Sequence, residues 1–443
     1  MRILLVKPTR DTDGVTPSLG LGYLATALRP AHEVKIVDGP RERLNPRKFE
    51  RILKEYRPEL VGFSIIAQDL HLAAGYLEQV RELLPEAVTV AGGAQPSSEP
   101  EDTYYICCKN LDYLFVGEAE KGLRMLADGL EDDRENPGPD SIPGLLWREG
   151  GEFKRNPMHI EHNLDSLGFP AWDLIDPRTY PPAPHAAFAK EFPVATIIAS
   201  RGCPYDCEFC AARKIQGRKI RRRSVDNVIE EIGILVENYD VKEIHIIDDN
   251  FTLNRDYVMD FCDKVSRRFP KLLWACPNGV RLDTLDKELL ENMARSGCYA
   301  LAMGIESGSQ EVLDKSKKRL SLQTVREKVE MINRAGIFAI GFFILGFPGE
   351  TMQQMRETVN LSLQLPLTRA QYMFYHPIPG TDIYCRLKRE RPENFRNLYS
   401  SFEKVAYLEN GVDKGKFKRL QRFAFLRFYL RPVSYTHLTL PTN

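Results

Sequence analysis

Short β-branched runs alternate with helical patterns twice along this chain, and that alternation restricts it to parallel-sheet architectures. In the first series, strand patterns at Ile3–Val6, Glu33–Val37, Leu60–Ile66, Val88–Ala91 and Tyr113–Val116 are separated by helical patterns near Leu21–Leu28, Pro46–Tyr56, Leu70–Leu84 and Lys121–Leu130. Such alternation places helices on both faces of a sheet, so residues 1–133 are expected to form an α/β, doubly wound, Rossmann-like domain. Prolines recur from Pro137 to Pro193 and break regular structure, so residues 134–190 are expected to be a linker or strap. The alternation restarts with strands at Val194–Ala199, Glu243–Ile247, Leu273–Cys276, Tyr299–Gly304, Ala339–Leu345 and Ala370–Tyr375. Six such repeats predict a partial (β/α)6 barrel over residues 191–400. Residues 401–432 read as a basic, aromatic helical segment, and 433–443 break the pattern and read as a non-native tail.

At 443 residues the chain can bury two or three cores. Lys plus Arg equals Asp plus Glu, 61 each, so no global field favours nucleic acid, and no nucleic-acid partner is expected. Nine cysteines, odd in number and scattered, fit reduced thiols of a cytoplasmic protein. The chain opens on the strand pattern Arg2–Lys7 with no apolar leader, and no secretory signal is expected.

Directly after Val194–Ala199 comes Ser200-Arg-Gly-Cys-Pro-Tyr-Asp-Cys-Glu-Phe-Cys210, which sets Cys203, Cys207 and Cys210 in a C-x3-C-x2-C spacing. Thiolates suit zinc or iron–sulfur clusters, and a tetrahedral zinc site needs a fourth Cys or His. The nearest candidates in sequence, His185 and Cys262, are not close. Three thiolates can hold three irons of a cubane cluster and leave the fourth open; a structural metal knuckle is the plainer alternative. With Phe209 just before its third cysteine, the loop resembles the cluster loop of the radical S-adenosylmethionine (SAM) enzymes. That resemblance implies a 4Fe-4S cluster on Cys203, Cys207 and Cys210. In that family the open iron binds S-adenosyl-L-methionine, and an electron from the cluster cleaves it to a 5'-deoxyadenosyl radical. The electron donor is expected to be of flavodoxin or ferredoxin type.

Barrel active sites lie at the carboxyl ends of the strands. There Asp248-Asp249-Asn250 offers acceptors for an ammonium group, with a helix-capping turn as the alternative. The radical family carries a Gly-Gly-Glu segment that binds the cofactor amine at this position, although the glycines are absent here. Asn278 and Arg281 can hold a carboxylate, or serve as exposed loop polarity. Glu306 sits at the rim, where the resemblance assigns it the ribose hydroxyls. The run Ile340-Gly-Phe-Phe-Ile-Leu-Gly-Phe-Pro-Gly-Glu350 is similar to the family strand that packs against adenine, which singles out Gly341 and Gly346. His376 reads as a packed loop histidine.

In the first domain Ser64-Ile65-Ile66 follows the third strand and Gly92-Gly93 the fourth. Their order resembles the cobalamin-binding domain and implies corrinoid contacts at Ser64, Ile66, Gly92 and Gly93. Many such domains ligate cobalt through a histidine after the first strand. Here that loop, Lys7-Pro-Thr-Arg-Asp-Thr-Asp-Gly14, has none, so the lower face is expected to lack a histidine ligand from it. Val116-Gly-Glu-Ala-Glu120 resembles the Gly-Glu-Gly-Glu turn of the cobalamin-dependent radical branch. A Rossmann-like domain without corrinoid is the alternative.

Arg213–Arg223 holds seven Lys or Arg, read as a solvated face or a local anion site. Lys414–Arg431 is basic and aromatic without an acid, read as an amphipathic helix on the barrel or a helix on a membrane near a lipid substrate. Together the resemblances imply a cobalamin-dependent radical SAM enzyme, similar to the class B methylases, that methylates an unactivated carbon of a small molecule or lipid. The alternatives are a radical cyclase or isomerase, lacking methyl transfer or cobalamin, and a non-catalytic redox or light sensor.

Overall fold

A computed structural model describes residues 1–9, 15–107, 110–131, 138–182, 189–394 and 404–431. Residues 10–14 of the loop without a histidine, His185, and the tail 433–443 lie outside the described residues. The chain divides into two compact units. One comprises Met1–Thr196, Ser200–Pro204 and Ala211–Glu243; the other comprises Ile197–Ala199, Tyr205–Cys210 and the chain from Ile244 onward.

The first unit is built on β1 (Arg2–Lys7), β2 (Glu33–Asp38), β3 (Leu60–Ser64), β4 (Val88–Gly92) and β5 (Tyr113–Phe115). The antiparallel hairpin β6 (Leu145–Glu149) and β7 (Glu152–Arg155) extends the sheet beside β5. Strand order is β2-β1-β3-β4-β5-β6-β7, parallel as far as β5. The parallel part has the doubly wound order 2-1-3-4-5, whose ligand crevice lies at the carboxyl ends beside the β1/β3 switch point. Ser64 and Gly92 close β3 and β4 at that end, paired in register. The hairpin falls inside the segment read as a linker. Buried Leu145, Leu146 and Trp147 drive it into the sheet, and Gly150 and Gly151, at φ 59° and 92°, make its turn.

The second sheet comprises β8 (Val194–Ile197), β11 (Glu243–Ile246), β12 (Leu273–Val280), β13 (Cys298–Glu306), β14 (Phe338–Leu345) and β15 (Arg369–Phe374). A short antiparallel ribbon of β9 (Ser200–Arg201) and β10 (Arg221–Arg222) precedes β11 in the chain. The order β15-β14-β13-β12-β11-β8 follows the sequence, each strand lying beside the one before it in the series, as in an open (β/α)6 barrel. Ser224, Asn254, Asp286, Ser321, Thr351 and Thr381 each accept the amide three residues on, so six helices of this part of the chain start from a side-chain cap. Helix Lys414–Tyr429 buries Phe417, Leu420, Ala424 and Phe428, one face at helical spacing. Among the described residues no helix is long and apolar enough to cross a membrane.

Candidate functional site

The cysteine loop leaves β9 through Gly202. Its φ is 99°, and a Cβ there would stand 2.5 Å from Lys219 O, so only glycine fits. The amide of Gly202 donates to Gln216 Oε1 at 3.0 Å and that of Cys203 to Gly217 O at 3.1 Å. Further on, the Cys210 amide closes a turn on Cys207 O at 3.1 Å, and the Glu208 amide donates to Ser316 O at 3.0 Å. All three cysteines are half-buried. Burial pushes the Cys207 thiol up, against the pull of Lys318 and Arg281. Among the described residues no three Cys, His, Asp or Glu converge on one metal-ion position. Three thiols within one eight-residue loop are a donor set that suits a multi-iron cluster in which each thiol meets a different iron.

The polar residues at the barrel strand ends divide sharply. Asp248 is committed to the scaffold, its Oδ1 accepting the Ala199 amide at 2.7 Å. Asp249 is half-buried by surface exposure yet its Oδ2 is buried without a partner, and burial pushes its carboxyl up. Asn250 Nδ2 is also buried without a partner, and it is a donor. Of the three, Asp249 is the one with acceptor capacity to spare. Asn278 Nδ2 donates to Ile247 O at 2.8 Å.

Arg281 spends its donors within the protein. It pairs with Asp283 at 2.8 Å, donates to Lys318 O at 3.1 Å, and stacks 3.7 Å from the Tyr205 ring centroid in the cysteine loop. It braces that loop, with little left to offer a carboxylate. Glu306 ends β13 in a left-handed conformation at φ 65°, beside an irregularity in its pairing with β14. Its Oε1 lies 2.8 Å from Lys318 Nζ, and Lys318 stands 5.9 Å from the Phe209 ring centroid. Lys318 escaped the sequence reading because Lys315-Ser-Lys-Lys-Arg319 looks like a solvated charge run.

Both glycines singled out on β14 are explained by protein contacts. A Cβ on Gly341 would meet Leu367 and Phe343 side chains at 2.9 Å, and one on Gly346, at φ 87°, would meet the Phe417 ring at 2.6 Å. Phe347 instead meets Phe209 edge-on, at 5.6 Å between centroids. Glu350 was also missed: its carboxylate accepts the Gly346 and Phe347 amides at 2.6 and 3.0 Å, while Oε1 is buried without a partner. It borders a cavity of about 240 Å³ that Phe209, Phe347 and Arg386 also line.

In the first unit, Gly93 is in a left-handed conformation at φ 101°, and a Cβ there would press on Ile65 O at 2.9 Å. Gly92 has only Phe115 near its missing Cβ, at 3.8 Å. Ile66 is 43% exposed beside them. Gln95, two residues on, is 1% exposed, and neither amide atom of its side chain has a partner. An exposed isoleucine and an orphaned buried amide at the carboxyl end of a doubly wound sheet fit a large ligand that is both apolar and amide-bearing, as a corrinoid is. The helix Ala94–Ser98 that follows packs against the helix Ala212–Ile215, which begins two residues after Cys210.

The basic run Arg213–Arg223 is not simply a solvated face. Arg221 pairs with Glu118 at 2.7 Å, and Arg223 pairs with buried Glu231, which also accepts Trp172 Nε1 at 3.0 Å.

Family models match in two places: the radical SAM superfamily over residues 197–362 and the B12 binding domain over residues 9–127. An uncharacterized methyltransferase of Pyrococcus horikoshii is 31% identical, with the alignment covering 98% of this chain and 93% of that protein. Cytidylyl-2-hydroxyethylphosphonate methyltransferase of Streptomyces wedmorensis is 31% identical over 86% of this chain and 80% of its own length. The structure of the radical S-adenosylmethionine methyltransferase TsrM from Kitasatospora setae, with cobalamin and a [4Fe-4S] cluster bound, shares the fold at a TM-score of 0.76 and 18% identity, covering 100% of this chain and 93% of TsrM.

Proposed function

The chain belongs to the cobalamin-dependent radical S-adenosylmethionine enzymes, and on that premise we propose that it methylates an unactivated carbon of a small molecule or lipid. Its cofactors are a 4Fe-4S cluster, S-adenosylmethionine and cobalamin. When bound, they supply an electron that cleaves S-adenosylmethionine, an adenosyl fragment that takes a hydrogen atom from the substrate carbon, and the methyl group that replaces it.

The reading rests chiefly on one observation, the packing of the helix after Gly92-Gly93 against the helix after Cys210. A methyl donor and a radical source must serve the same carbon, and this contact joins the segments that follow the two loops. In this reading Cys203, Cys207 and Cys210 hold the cluster. Asp249, whose buried oxygen lacks a partner, accepts the cofactor ammonium. Lys318, a buried cation paired with Glu306, offers its remaining N–H donors to the cofactor carboxylate, and Glu306 meets the ribose. Ser64, Ile66, Gly92, Gly93 and Gln95 line the corrinoid.

Anaerobic reconstitution with iron, sulfide and hydroxocobalamin tests this. The wild-type chain should form 5'-deoxyadenosine from S-adenosylmethionine under a one-electron reductant, and a Cys203/Cys207/Cys210→Ala variant should form none. Cells expressing the protein with methyl-labelled methionine should accumulate a product carrying the label. Deoxyadenosine with no labelled product would move the assignment to a cyclase or isomerase, and no deoxyadenosine to a sensor.

The same reading includes a flavodoxin or ferredoxin as electron donor, a cytoplasmic location, and contact with an anionic lipid surface. For the last, Phe423, Phe425, Leu426 and Leu430 are each more than half exposed on or beside the C-terminal helix. Seven Lys and Arg with no acid lie between Lys414 and Arg431, a charge complementary to anionic lipid.

A further inference from the structure

The turn Gly117–Glu120 joins two loops of the same unit. On one side the Gly117 amide donates to Ser97 Oγ at 3.0 Å, and that hydroxyl donates to Gly93 O at 2.7 Å. On the other side Glu118 Oε1 lies 2.7 Å from Arg221 Nη1 and 3.4 Å from Arg201 Nη1, and Glu120 Oε1 lies 2.7 Å from Arg201 Nη2. These four side chains are only 2% to 12% exposed.

Their arrangement has a specific physical reason. Arg201 and Arg221 face each other directly across the β9–β10 ribbon. Like charges opposite one another repel, the more so when buried, and Glu118 stands against both. The Tyr23 ring, 5.3 Å from the Arg201 guanidinium, packs against the same side chain. Arg201 leads through Gly202 into Cys203, so whatever fixes the ribbon fixes where the first cysteine starts.

We propose that Glu118 and Glu120 are positioning residues that hold Cys203 in register with the Gly92-Gly93 loop. The proposal rests on the functional reading above. Both oxygens of Glu118 are spent within the protein, since Glu118 Oε2 accepts the Glu161 amide at 2.9 Å.

The test uses the full chain, reconstituted anaerobically. Glu118→Gln alone leaves two buried guanidiniums facing each other, so the deciding variant is E118Q/R221Q, which removes one charge of each sign. It should melt within a few degrees of wild type and retain hydroxocobalamin through gel filtration. Its reduced-cluster electron paramagnetic resonance (EPR) spectrum should split into more than one species, and deoxyadenosine formed per cluster should fall at least fivefold. Glu120→Gln, the milder change, should show the same heterogeneity at lower amplitude. Wild-type spectra in either folded variant would overturn the proposal. A wild-type chain that assembles no cluster would overturn the functional reading and this proposal with it.

Discussion

Lys318 Nζ lies 2.8 Å from Glu306 Oε1, with both side chains about nine-tenths buried at the end of β13. Breaking a buried pair from one side leaves an uncompensated charge and costs about 3–5 kcal/mol. Lys318→Met and Glu306→Gln are therefore each expected to lower the denaturant midpoint. The double variant should recover part of the loss, with a coupling of about 1–3 kcal/mol in a double-mutant cycle. Additive losses would show that the pair is not energetically linked. If Lys318 also meets the cofactor carboxylate, Lys318→Met should weaken S-adenosylmethionine binding at least tenfold in equilibrium dialysis.

Burial pushes the Glu350 carboxyl from 4.5 up to about 8, although the Gly346 and Phe347 amides pull it down. A carboxyl whose folded value is raised favours the protonated form. Its stability contribution is complete below about pH 4.5 and is lost as pH rises through about 8. With each unit worth about 1.4 kcal/mol, the effect is of order a few kcal/mol. Glu350→Gln should flatten this dependence, so that the variant melts above wild type at pH 8.5 and close to it at pH 5. Parallel curves across that range would refute the assignment.

The exposed face of the helix Lys414–Tyr429 predicts binding to vesicles of phosphatidylglycerol and phosphatidylcholine at low salt, and little to phosphatidylcholine alone. Burying large apolar side chains contributes about 1.5–3 kcal/mol each. A Phe423→Ser/Leu426→Ser/Leu430→Ser variant should therefore lose at least tenfold in partitioning. The substituted positions point away from the buried Phe417, Leu420, Ala424 and Phe428, so the fold should survive. Equal sedimentation with neutral and anionic vesicles would count against the surface.

The sheet order and the cluster loop were legible because each is written in contiguous sequence: alternating apolar runs for the strands, and three cysteines within eight residues for the loop. What escaped depends on partners outside any local motif, from 8 residues away for Arg223 and Glu231 to 103 for Arg221 and Glu118. Arg221 and Arg223 look like a solvated run until Glu118 and Glu231 bury them. Lys318 looks the same until Glu306 pairs with it, in a stretch where Lys317 and Arg319 on either side take left-handed conformations at φ 55° and 53°. Gly341 and Gly346 mark close approaches, as glycines on strands do, but Leu367 and Phe417 make those approaches. No local pattern distinguishes a glycine opened for a side chain from one opened for a ligand.

That distinction can be measured at Gly92 and Gly93. Gly93 needs its left-handed backbone, and a Cβ at that position would stand only 2.9 Å from Ile65 O, so its glycine is required by the fold. Gly93→Ala should cost about 1–3 kcal/mol in strain whether or not a ligand is bound. Gly92 has an ordinary backbone and a single contact at 3.8 Å, so the fold alone tolerates alanine there. If Gly92 is glycine because a corrinoid approaches its backbone, Gly92→Ala should melt within about 1 °C of wild type, given an expected folding change of under ~0.5 kcal/mol. It should nonetheless retain less than a tenth of the hydroxocobalamin after gel filtration. Gly93→Ala should lose stability and cobalamin together. A Gly92→Ala protein that keeps its cobalamin would remove Gly92 from the site and leave Ile66 and Gln95 as the residues to probe.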